Sequence, residues 1–118
     1  MKVEQRLWSP DYGWQPGLNE PSLGKAAQLV LLFGSAEQVR ESGCLDQVRK
    51  AYPEAHVIGC TTSGLIHDTR VIDGSITLTA VAFEHTRVAL ARVRIEGIDD
   101  SLPAGERLAG ALEREGLR

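Results

Sequence analysis

The clearest hydrophobic pattern begins at Gln28. "QLVLLFG" is a continuous apolar run ended by glycine, the signature of a strand buried on both faces. "AEQVRESGCLDQVRKAY" is polar and helical, with a break expected near Ser42-Gly43. Leu45, Val48 and Tyr52 share one of its faces at i, i+3 and i+7, and Pro53 closes it. "AHVIGC" follows as a second buried strand. Strand, helix and strand in such short compass predict a βαβ unit with the two strands parallel and adjacent.

The second half changes period. "TRVIDGSITLTAVAFEHTRVALARVRI" alternates apolar with small or polar residues, and Asp73-Gly74 is a two-residue hairpin signal because both positions tolerate positive φ. A second turn near Glu84-His85 would complete an antiparallel meander. "SLPAGERLAGALEREGLR" predicts an amphipathic helix with Ala104, Leu108, Ala111 and Leu112 on one face. Residues 1–24 hold three of the five prolines and show no sustained period, so they read as an extended arm. That arm carries Trp8, Tyr12 and Trp14, half of the chain's aromatic residues. Their rings either staple it to the domain surface or serve as a dimer contact or a lid over a pocket. The expected fold is mixed α/β (α+β): a βαβ unit, an antiparallel meander and a C-terminal helix packed on the sheet. The expected organisation is an arm over 1–24 and a single domain over 25–118.

Composition narrows the function. A chain of 118 residues with 42% hydrophobic content suits one soluble globular domain. Thirteen Lys and Arg face sixteen Asp and Glu, and no basic run exceeds a dipeptide, so the electrostatic footprint of a nucleic-acid binder is missing. The longest apolar run, "LVLLF", falls far short of the roughly 20 residues a membrane helix needs. The polar start "MKVEQR" leads into no signal-peptide core, so the expected compartment is the cytoplasm. Two cysteines, Cys44 and Cys60, lack the clustering of a structural zinc site and are expected reduced.

The candidate chemistry centres on "VIGCTTSGLI", residues 57–66. Its middle six residues have no bulky side chain, and four of them carry a hydroxyl or thiol. In a βαβ unit the C-terminal ends of both strands lie along one sheet edge, where open α/β folds bind ligands. Ser35, Gly59, Cys60, Thr61, Thr62, Ser63 and Gly64 gather there, with Arg70 following the loop. They are the predicted ligand-binding residues, with Thr62 facing the hollow and Cys44 and Cys60 on the same side of the edge. The competing expectation is that the glycines only turn the chain and the hydroxyls bond to their own backbone. As a nucleophile Cys60 would need a base: His56 lies four positions back on an extended strand, roughly 13 Å away at ~3.3 Å per residue, and leaves His67 as the sequence-near alternative. No Walker loop, GxGxxG, HExxH or CxxCH is present. The chain therefore reads as non-enzymatic and without a metal, with a Cys44–Cys60 redox pair as a separate alternative.

Five segments in order, "LVLLFGS" (29–35), the helix ending in "YP" (52–53), "VIGCTTSGLI" (57–66), "DGSITLTAVAF" (73–83) and "AGERLAGAL" (104–112), resemble the N-terminal half of the FIST domain, a bacterial sensory module. The resemblance implies a cytoplasmic signal-transduction input domain that binds a small molecule, with amino acids or related metabolites as the ligand class. It also implies signalling partners such as a kinase, a cyclase or a chemotaxis protein. Some members resemble haem-based nitric-oxide sensors, which makes haem the alternative cofactor. An interaction domain that self-associates as a homodimer without ligand is the alternative from another class. Where the family has a helix before the first strand, this chain has the aromatic arm. The family's C-terminal half lies beyond these residues, so the chain reads as a fragment or a minimal version.

Overall fold

The computed structural model describes residues 1–19, 23–67 and 70–112, and divides the chain into two compact units, Met1–Arg87 and Val88–Arg118. The first unit carries a five-stranded mixed sheet of order β2-β1-β7-β3-β4. Its strands are β1 (Lys2–Ser9), β2 (Gly13–Gln15), β3 (Leu29–Gly34), β4 (His56–Thr61) and β7 (Ile76–Ala82). A separate two-stranded sheet pairs β5 (Leu65–His67) with β6 (Arg70–Ile72). Between β3 and β4 come two short helices, α1 (Ala36–Glu41) and α2 (Cys44–Ala51).

The βαβ unit is as expected: β3 and β4 pair in parallel from Leu29↔His56 to Gly34↔Thr61. The helical segment breaks where the sequence suggests, with Gly43 at φ 63° between α1 and α2, a left-handed conformation that glycine adopts without steric cost. Val48 and Tyr52 are buried with Cys44 against Val30 and Leu32 of β3 and Ile76, Leu78 and Ala80 of β7, forming one core on one face of the sheet. Ala104 is the buried residue of α3 (Ser101–Ala111), the helix of the second unit. There Arg107 donates to both carboxylate oxygens of Asp100 and to the Arg94 carbonyl, and its guanidinium holds the Asp100 carboxyl below the usual range.

Three expectations differ from the structure. First, the beginning of the arm is a strand: β1 runs antiparallel to β7 from Lys2↔Ala82 to Trp8↔Ile76, and β2 folds back on it with Trp8 opposite Trp14. Both indoles pack partly buried against the core. Second, the meander does not form. β7 is the middle strand, its two edges taken by β1 and β3, so Asp73-Gly74 turns the chain from one sheet into the other instead of closing a β6–β7 hairpin. Among the described residues no strand follows β7. Third, β3 and β4 are not buried on both faces. Within the first unit α1 and α2 pack on the face bearing Val30 and Leu32, while Phe33, Ile58 and Cys60 on the alternate positions are exposed.

A buried polar cluster holds β1 in place. Arg6, 4% exposed, donates through Nε to Tyr52 Oη at 2.9 Å and through Nη1 to the carbonyls of Pro16 (3.0 Å) and Gly17 (2.6 Å). Tyr52 in turn donates to Glu4, whose other carboxylate oxygen accepts from the Leu23 amide. A cationic side chain in a core is tolerated because its donors are met by a carboxylate, a phenol and two carbonyls.

Candidate functional site

The parallel pairing brings the C-terminal ends of β3 and β4 together, and the ladder continues one step beyond them as the Thr62 amide donates to the Gly34 carbonyl at 2.9 Å. Two glycines let the strands close here. A Cβ on Gly59 would run into the Leu32 carbonyl, standing 2.9 Å from its carbon. A Cβ on Gly34 would stand 2.8 Å from Ile76 Cγ1. At these two places glycine is required by the approach of the neighbouring strand, whatever its use to a ligand.

Above Gly59 the helices leave the sheet uncovered. A hollow of about 220 Å³ opens between the end of β4 and the α1–α2 pair, lined by Leu32, Val57, Gly59, Cys60 and Thr61 from the sheet and by Val39, Leu45 and Arg49 from the helices. It is apolar at its base, with the Arg49 side chain as the single cation of its lining. Among the described residues Arg49 has no hydrogen-bond or ion-pair partner. Arg49 stands one residue after Val48, so a helix that buries Val48 under the sheet carries Arg49 to the border of that contact.

The predicted site residues divide into groups. Gly59, Cys60 and Thr61 border the hollow. Ser35 is the N-cap of α1, its Oγ accepting from the Gln38 amide at 3.2 Å. Thr62 closes its own loop: Oγ1 donates to the Gly64 carbonyl at 2.6 Å and accepts from the Gly64 amide at 3.3 Å. The Thr62 side chain is therefore engaged within its own loop and is not among the residues lining the hollow, contrary to the expectation that it faces that space. Ser63 and Gly64 are exposed in the turn. The side chain of Arg70 lies outside the described residues; its backbone opens β6 opposite His67.

The two cysteines do not stand on the same side. Cys44 is buried in the core beneath the helices. Cys60 is exposed and in register with Phe33, one position from Gly59, hence on the opposite face. A Cys44–Cys60 redox pair is incompatible with that separation by the sheet. Sequence reasoning missed Arg49 and the helix residues Val39 and Leu45. The available signal was that two short helices cannot roof the full length of a six-residue strand.

Among the described residues no three His, Cys, Asp or Glu side chains are gathered as a metal would need, and no helix is long and apolar enough to cross a membrane. No curated protein and no solved structure matches the chain. The family model of the FIST N domain matches residues 28–117, a span that contains β3, β4 and the whole lining of the hollow. The chain belongs to the FIST N domain family, whose members are sensory domains of signal transduction.

Proposed function

We propose that this chain is a non-enzymatic input domain that binds a small metabolite in the hollow at the end of β4. The observation that carries the reading is the combination at one site of an uncovered Gly59, an apolar base and an Arg49 that has no partner among the described residues. Such a site suits a molecule with a small apolar body and a carboxylate, the body against Leu32, Val39 and Val57 and the carboxylate on the guanidinium. Amino acids and related acids have this form. A volume of about 220 Å³ lies below the roughly 300–1,000 Å³ of pockets for drug-sized ligands, which favours a metabolite over haem.

The location supports the same reading, because the C-terminal ends of parallel strands are where open α/β sheets take ligands. Occupancy would draw α2 and β4 together, and a cytoplasmic signalling partner such as a kinase or cyclase would read the change. A thermal-shift screen over amino acids and small carboxylates tests it. The expected result is a ligand whose stabilisation, ~2.7 kcal/mol at 100 times its Kd, is lost in Arg49→Met. Stabilisation by no member of the screen, or equal stabilisation of the Arg49→Met chain, would reject the reading.

A further inference from the structure

A larger cleft lies on another side of the first unit. It measures about 490 Å³ and is lined by Trp14, Gly17, Leu18 and Asn19 from the N-terminal segment and by Gln47, Lys50 and Ala51 of α2. Four of these residues precede residue 28, where the family match begins, so one wall of the cleft belongs to this chain's own N-terminal segment.

That wall is anchored from beneath. Arg6, itself buried, grips the carbonyls of Pro16 and Gly17, and the same guanidinium reaches Tyr52, the residue after Ala51 on the opposite wall. Across the cleft the Trp14 Nε1 donates to Gln47 Oε1 at 3.0 Å, which fixes the indole relative to α2. The two walls are thus tied to each other by the Arg6 bonds and by the Trp14–Gln47 bond, which fixes the lining before any ligand arrives, the condition for a preorganised site. Its lining combines an indole, the apolar Leu18 and Ala51, and two polar groups, the Lys50 ammonium and the Asn19 amide, that have no partner among the described residues.

We propose that this cleft is a second ligand site, independent of the β4 hollow, and that it takes a small aromatic carboxylate. Offset stacking of an aromatic ring with the Trp14 indole is favourable, and a carboxylate both pairs with Lys50 and accepts from Asn19. The volume falls within the roughly 300–1,000 Å³ typical of small-molecule sites.

Benzoate is a suitable probe, with benzamide as its neutral counterpart. In a Trp8→Phe chain Trp14 is the one remaining indole, and its emission reports the cleft. Benzoate should change that emission saturably, with affinity about tenfold lower or worse for benzamide and for benzoate on the additional Lys50→Met variant, as loss of a charge-assisted contact requires. Arg49→Met should leave the benzoate response unchanged, which separates this cleft from the β4 hollow. If Trp8→Phe does not fold, the side-chain amide NMR signals of Asn19 and Gln47 in the unsubstituted chain give the same readout. No saturable response, equal affinity for benzamide, an undiminished response in Lys50→Met, or loss of the response in Arg49→Met would each overturn the proposal.

Discussion

Arg6 and Tyr52, separated by 46 positions in the chain, meet in the interior, with Arg6 Nε donating to Tyr52 Oη at 2.9 Å. The contact joins the first strand of the sheet to the end of α2, and through the Pro16 and Gly17 carbonyls it also fixes the turn after β2.

Removing either partner should be costly for different reasons. Arg6→Leu removes the guanidinium beside the Glu4 carboxylate and strips the Pro16 and Gly17 carbonyls of their donor in a buried cluster, and should cost about 3–5 kcal/mol. Tyr52→Phe removes one hydroxyl from the cluster and should cost about 1–3 kcal/mol. Urea denaturation measures both, and a loss under about 0.5 kcal/mol in Arg6→Leu would show that the cluster does not hold β1.

Tyr52 also sets a pH dependence. Burial, then its hydrogen bond to Glu4, push the phenol up to about 12 from its ordinary 10, with Arg6 opposing. The native state therefore holds the proton more tightly than the unfolded chain. The stability this contributes is complete below pH 10 and is lost as pH rises through 12. Melting temperature should fall more steeply across that interval in the unsubstituted chain than in Tyr52→Phe; parallel curves would contradict it.

Gly59→Ala tests the close approach of β4 to β3. Because the added methyl meets backbone and no flexible side chain can yield, the strands must separate, with an expected loss of about 2 kcal/mol or more. Gly64→Ala is the control, since its Cβ would meet only Asp73 Oδ1 at 3.5 Å, an ordinary contact. Equal stability of the two variants would refute the requirement.

The cysteines should differ sharply toward a thiol reagent. Exposed Cys60 should label in the folded protein, while Cys44, buried in the core, should label only at the rate of unfolding. Mass spectrometry after brief labelling decides it, and modification of Cys44 at the pace of Cys60 would contradict its placement.

The βαβ unit was legible because "LVLLF" and the interval to "AHVIG" carry both the strand signal and the parallel pairing, and Gly43 marked the helix break. β1 was not legible, for a physical reason: its core-facing positions are Glu4, Arg6 and Trp8, so alternation is disguised by a buried ionic cluster that only tertiary contacts satisfy. The missing meander has a similar cause, since alternation after residue 73 does not tell which edges of β7 are already occupied. At the site, small residues correctly marked the end of β4. They could not reveal that Thr62 spends its hydroxyl on Gly64, or that Arg49 on a different element supplies the charge.

Mapping a bound ligand on the sheet tests the account most directly. Backbone amide NMR shifts, followed while the strongest stabiliser from the amino-acid and carboxylate screen is titrated in, should move saturably at Gly59, Cys60 and Thr61 of β4 and at Leu45 and Arg49 of α2. Arg49→Met should abolish the movement while the remaining spectrum stays that of the folded chain. Shifts confined to other residues, or movement at β4 that persists undiminished in Arg49→Met, would contradict the assignment of the hollow as the sensory site.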